Sequence, residues 1–152
     1  MIQPNAPTAS SRPIHRLIAI YAESHRHPVN EVIHCVCVPA IVLSALGLFW
    51  AIHAALACAL AIAALLYYFS LSIPLAVGMV MMLAAMLGIL ALIPPGAVLS
   101  SSLVLFVLAW IGQFIGHKIE GKKPSFFDDL KFLLIGPLFV LSLLYRRCGI
   151  AF

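Results

Sequence analysis

Two short stretches hold most of the side chains in this sequence that could do chemistry in an apolar setting. The first, HRHPVNEVIH at residues 25–34, sets three histidines and an asparagine where a long apolar run begins. The second, WIGQFIGHKIE at residues 110–120, closes another such run. With a helix starting just after Pro28, Asn30 and His34 stand four apart and share a face. His25 lies before the proline and must be brought in by a loop. Trp110, Gln113, His117 and Glu120 follow at intervals of three, four and three, which is one face of a continuing helix.

His117 and Glu120 can present an imidazole and a carboxylate to one metal ion. Two or three histidines with one carboxylate and no thiolate suit non-haem iron(II), which keeps positions open for substrate and oxygen. Zinc accepts the same donors. The plain alternative is polar decoration where helices meet the headgroups, with Trp110 in an aromatic belt and Lys118 snorkelling outward. That alternative leaves Gln113 and Glu120, on the face of His117, unexplained. His27, beside Arg26 in a loop, and His15 and His53 read as interfacial residues with no part in a site. Cys35 and Cys37, two apart on a helix, point in different directions and read as small buried hydrophobes rather than soft ligands. The four scattered cysteines imply no disulfide framework.

These groups need a frame to hold them. Of 152 residues, 64% are hydrophobic and 9% charged, whereas soluble domains run near 45–50% apolar and about 25% charged. The composition specifies an all-α integral membrane protein. The apolar block from Val32 to about Leu71 is roughly twice the ~20 residues that cross a bilayer, so it folds as a hairpin turning near Trp50–His53. A third span runs from about Leu75 to Ile93 and stops at Pro94-Pro95-Gly96, and a fourth runs from about Val98 to Ile115. Ahead of them, residues 14–24 place Leu17, Ile18, Tyr21 and Ala22 on one side and Arg16 and Glu23 on the other, an amphipathic helix for the membrane surface. Phe132 to Tyr145 is short for a span and contains Gly136-Pro137, which suits a re-entrant or interfacial helix. Residues 1–13, MIQPNAPTASSRP, read as a disordered segment without the apolar stretch of a signal peptide. Residues 14–152 form a single membrane-embedded domain.

Four spans place the N-terminal basic segment, the Lys118–Lys131 connection and the pair Arg146 and Arg147 on one side, which the positive-inside rule makes cytoplasmic. His34 opens the first span and His117 closes the last, so both lie at that same face and the two stretches can converge. Residues 54–109 carry no charged residue, which speaks against an ion carrier with an ionisable group at midplane. No basic stripe with interleaved aromatics points to nucleic acid. The rival to an enzyme is a small non-catalytic membrane protein that binds lipid or metal.

The pattern Tyr21-x3-His25-x-x-Pro28-x-Asn30-x3-His34-x4-Pro39 resembles the N-terminal signature of the 2-hydroxy fatty acid dioxygenase family (Mpo1-like, formerly a domain of unknown function). Trp110-x-x-Gln113-Phe114-Ile115-Gly116-His117-x-x-Glu120-Gly121-x-x-Pro124, with Asp129-Leu130 and Gly136-Pro137 after it, resembles its second signature. The resemblance covers about residues 15–141, and between the two signatures it is one of hydropathy alone. It implies a small multispan protein of the endoplasmic reticulum or, in bacteria, of the cytoplasmic membrane, with its site on the cytoplasmic face. It further implies an iron(II) enzyme that uses molecular oxygen to shorten 2-hydroxy fatty acids by one carbon, a step in degrading a long-chain base. By that resemblance His25, His34 and His117 are the metal ligands, with Glu120 a candidate fourth. Tyr21, Asn30, Gln113, Lys122 and Lys123 are then the residues expected around the substrate, the lysines drawing in its carboxylate and the acyl tail lying among the spans, with membrane lipids around the protein. Where family members often carry a glutamate after the Gly-Pro, this chain has Phe139-Val140-Leu141-Ser142, and Ile119 stands where phenylalanine is usual.

Overall fold

A computed structural model describes residues 13–23, 25–121 and 133–152. Among them are six helices: α1 (Pro13–Ala22), α2 (Pro28–Ile52), α3 (Ala54–Leu71), α4 (Ile73–Leu92), α5 (Pro95–Glu120) and α6 (Ile135–Arg147). No strand occurs among the described residues. Helices α2 to α5 are each long and apolar enough to cross a membrane, as the hydropathy pattern requires. Proline supplies much of the punctuation. It stands in the first turn of α2, α4 and α5, where its missing N–H would have no helical partner in any case. The α2–α3 turn falls at His53, whose backbone is extended and whose Nδ1 accepts from the amide of Ala55 at 3.2 Å. His53 therefore caps α3, a role beyond the interfacial one expected of it.

The most extensive helix interface is that between α2 and α5, which run antiparallel. Hydrocarbon offers little drive for helix association, so close approach through small residues must provide it. Three contacts along the seam do so. A Cβ on Gly47 would overlap the hydroxyl of Ser102, one on Gly112 would press on Cys37, and one on Gly116 would overlap Asn30 Oδ1. The buried positions of α5, Val98, Ser102, Ala109, Gln113, Gly116 and His117, form one stripe at helical spacing. The helix continues to Glu120, past the Ile115 expected as the end of the span, and stops at Gly121, whose φ of 73° is the left-handed turn that glycine permits. That extra turn carries His117 and Glu120 at fixed orientation.

Helices α1 and α6 pack on each other at the end of the bundle where α2 begins and α5 ends. Ile14, Ile18 and Tyr21 are buried, so the apolar side of α1 meets protein. Two contacts tie the C-terminal end of α6 to the same end of the bundle. Tyr145 Oη donates to the carbonyl of Pro74 at 3.0 Å, and Arg147 lies 3.7 Å from Glu31. The other end of α6 dips inward: Gly136 packs near Val38, about 15 Å along α2 from Pro28 at 1.5 Å per residue. The segment therefore slants into the bundle rather than lying across its end. The N-terminal segment read as disordered and the polar connection with Lys122 and Lys123 lie outside the described residues, apart from Pro13, which opens α1.

Candidate metal centre

His34 comes from the second turn of α2, His117 from the last turns of α5, and His25 from the link between α1 and α2. The antiparallel seam brings the first two to one level, and the turn before Pro28 folds His25 over them. Ring centroids are 4.0 Å apart for His25 and His34, 5.5 Å for His25 and His117, and 5.3 Å for His34 and His117. One nitrogen from each ring lies within 4.8 Å of those of the other two. The three residues are 4%, 1% and 4% exposed. Neutral imidazole is the form that binds metal.

Backbone carbonyls set two of the rings. His25 Nδ1 lies 2.7 Å from the carbonyl oxygen of Tyr21 and His34 Nδ1 lies 3.1 Å from that of Asn30. A carbonyl only accepts, so each Nδ1 carries the proton and Nε2 keeps the lone pair. The Nε2 atoms of His25 and His117 are buried. This is the arrangement in which an outer carbonyl fixes the tautomer of a metal-binding histidine and raises its basicity. Tyr21 adds a flat wall, stacked on His25 at 4.3 Å between centroids. The donor set and its burial fit a divalent metal ion held by three histidines.

Glu120 is engaged differently from the ligand role expected of it. Its Oε1 accepts from the amide of Arg26 at 2.9 Å, and its Oε2 accepts from the amide of His27 at 2.9 Å and from Asn30 Nδ2 at 3.0 Å. It thus clasps the segment that carries His25 and stands at the N-terminus of α2, where unsatisfied N–H groups and the helix dipole favour a negative charge. The three-histidine group does not include it. His27, set aside from the sequence, is the N-cap of α2 and accepts from the amide of Val29.

The remaining expected residues sort by position. Asn30 is fully buried, with Nδ2 on Glu120 and Oδ1 against Gly116. Gln113, 4% exposed, lines a cavity of about 30 Å³ together with Tyr21, His34, Trp110 and Gly136. Its Oε1 is buried and has no hydrogen-bond partner among the described residues. Lys122 and Lys123 lie outside the described residues. Cys35 and Cys37 are free and half-buried, apart from the histidines. Sequence reasoning missed Phe139, whose ring centroid lies 5.1 Å from Tyr21 and 5.7 Å from His25. An apolar residue in an apolar segment gives no sign that it borders a polar cluster.

Comparison with known proteins bears on what such a centre does. A 2-hydroxy-palmitic acid dioxygenase of Saccharomyces cerevisiae is 29% identical over 132 residues, which cover 82% of this chain and 75% of the yeast protein. No solved structure matches. The family model described as 2-hydroxy-palmitic acid dioxygenase Mpo1-like matches residues 11–148, which include all three histidines and every helix. The chain belongs to the Mpo1-like family of 2-hydroxy-palmitic acid dioxygenases.

Proposed function

We propose that this protein is an iron(II)-dependent dioxygenase that shortens 2-hydroxy fatty acids by one carbon. The observation that carries the reading is the buried triad of His25, His34 and His117, two of whose rings are held by backbone carbonyls at Nδ1, leaving Nε2 with the lone pair. When bound there, iron(II) supplies the electrons that oxygen needs and open positions for the hydroxyl and carboxylate oxygens of a 2-hydroxy acid. The chain's own residues do the rest. Tyr21 and Phe139 wall off His25 and exclude water from the site. Gln113 Oε1 lines the cavity beside His34 and is suited to accept a hydrogen bond from the substrate hydroxyl. Asn30 and Glu120 act as positioning residues that hold the His25 segment and the start of α2. Lys122 and Lys123, next in sequence after Gly121, draw the acid headgroup toward the site, which the positive-inside rule assigns to the cytoplasmic face.

Protein purified anaerobically without chelator is expected to carry about one iron per chain. Incubated with a 2-hydroxy fatty acid under air, it forms the acid one carbon shorter, and under argon it does not. Alanine at His25, His34 or His117 is expected to abolish both iron and turnover. A folded variant with normal iron and activity removes that residue from the ligand set. Bound metal with no oxygen-dependent product from any 2-hydroxy acid overturns the enzymatic reading in favour of a lipid- or metal-binding protein.

A further inference from the structure

The small cavity beside His34 adjoins another. Val42 and Leu133 line it, and both also line a second cavity of about 210 Å³ enclosed by α2, α3, α4 and the start of α6. Leu46, Ala64, Met79 and Leu83 form its walls. No charged residue lines it among the described residues. The polar end of the combined path is marked by Gln113, a nearly fully buried amide whose Oε1 has no hydrogen-bond partner among the described residues. The far end reaches Phe49, so the path along α2 from His34 covers about 22 Å at 1.5 Å per residue, most of the ~30 Å of bilayer hydrocarbon. Phe49, Leu60, Leu133 and Leu134 are each about two-fifths exposed at its rim, on a bundle whose α2 to α5 are membrane-spanning by length and composition.

We propose that this intramembrane cavity between α2, α3 and α4 is the site for one long, unbranched acyl chain, admitted sideways from the bilayer with its carboxyl end at Gln113 and the histidines. The proposal rests on the function proposed above and adds the location of the tail, the route of arrival and the residues that set chain length. Three observations select a single acyl chain as occupant: two adjoining cavities that share Val42 and Leu133, a larger lobe lined by apolar side chains apart from Tyr68, and a rim facing hydrocarbon. A soluble headgroup-sized ligand would leave the apolar lobe empty, and a lobe without Gln113 and His34 at its mouth would suit any lipid tail.

Ala64 on α3 and Ala45 on α2 line the lobe, and both are half-buried, so each tolerates a larger side chain. A phenylalanine at either position intrudes on the lower part of the chain. Each methylene that loses its contacts lowers kcat/KM about 4-fold, so displacing three lowers it roughly 60-fold. The experiment compares kcat/KM for a long and a short 2-hydroxy acid at equal mole fraction in mixed micelles, in wild type, Ala64→Phe and Ala45→Phe. Ile62→Phe, on the lipid-facing side of α3, is the control. The long-to-short ratio is expected to fall roughly 60-fold in the two cavity variants and to stay unchanged in the control, with iron content equal in all. An unchanged ratio in both cavity variants, each binding normal iron, overturns the proposal. A parallel arm uses a fatty acid with a photoreactive diazirine near its methyl end, mapping the adducts by mass spectrometry. Adducts at Leu46, Met79 or Leu83, lost in Ala64→Phe, support the site even if wild type turns over nothing, in which case only the enzymatic reading fails. Adducts confined to outward-facing residues such as Ile62 or Leu66 overturn the site whatever the activity.

Discussion

Removing the Glu120 carboxylate tests whether it clasps the site or binds the metal. Three donors converge on it, the amides of Arg26 and His27 and the Asn30 side chain, each at 2.9–3.0 Å. Hydrogen bonds to a charged group contribute about 1.5–3 kcal/mol each when shielded. Arg26 and His27 are exposed, so water replaces the carboxylate at their amides and little is lost there. Asn30 is fully buried, and its Oδ1 has no hydrogen-bond partner among the described residues. In Glu120→Ala its Nδ2 also loses its acceptor, at a cost of about 2 kcal/mol. If that cost falls on the closed arrangement of the His25 segment, metal affinity drops roughly 30-fold, at 1.4 kcal/mol per factor of ten. Glu120→Gln keeps one carbonyl acceptor and is expected to lose less, about 5-fold, or ~1 kcal/mol on the same scale. Competition against a chelator of known affinity gives the constants, and the absorption spectrum of the cobalt(II)-substituted protein reports the donor set. A clasp predicts weakened binding with an unchanged spectrum. Loss of metal as complete as in His117→Ala, or a changed spectrum in Glu120→Gln, makes Glu120 a ligand and refutes the clasp. Wild-type affinity in Glu120→Ala refutes any role for it in positioning His25.

Four further substitutions separate seam, anchor and substrate contacts. Gly116→Ala puts a methyl group into Asn30 Oδ1, on an amide whose Nδ2 donates to Glu120, and is expected to lower stability by about 1–3 kcal/mol through overpacking and to lower metal content with it. Gly47→Ala meets the Ser102 hydroxyl and Cβ and Leu90, none of them part of the histidine cluster, so scanning fluorimetry in detergent should find a stability loss there without a loss of metal. Tyr145→Phe removes the bond to the Pro74 carbonyl, and with it about 1 kcal/mol of stability, a fall of roughly 2–4 °C in Tm for a chain of this size; metal content should not change. Gln113→Leu should keep metal and lower kcat/KM for a 2-hydroxy acid about 10-fold, the cost of one buried hydrogen bond of ~1.4 kcal/mol. Equal kcat/KM in variant and wild type would take Gln113 out of substrate binding.

Much of this arrangement is legible in the sequence because hydrocarbon imposes strong rules. Apolar runs of fixed length, broken at His53, Ser72 and Pro94, leave little choice of span. An even number of spans brings the beginning of α2 and the end of α5 to one face, so the sequence alone pairs His34 with His117. What escaped reading depends on where side chains go after the spans have packed. Glu120 has the right type and spacing for a ligand, yet the donors that reach it, the amides of Arg26 and His27, belong to the backbone, which residue types do not reveal. Phe139 borders His25 only because α6 slants inward from the end fixed by Tyr145. That slant arises from α6 packing on α1, α2 and α4, contacts far apart in the chain.

Each of the two antiparallel helices supplies one of the three histidines, His34 from α2 and His117 from α5. The third comes from outside the helices: His25 reaches in from a turn whose geometry is set on each side. Upstream, its Nδ1 bonds to the last turn of α1, and downstream, Pro28 starts α2 while Glu120 gathers the intervening amides. The metal end of the bundle is thereby coupled to the α2–α5 seam, since Glu120, Gly116 and His117 sit on consecutive turns of one helix and face Asn30 and His34 on the other. Any change that spreads the seam near Gly116 must move His117 and loosen His25 together. Metal affinity should therefore fall in step with stability for substitutions at Gly116, and stay independent of it for substitutions at the far end of the seam, such as Gly47, where no ligand is attached.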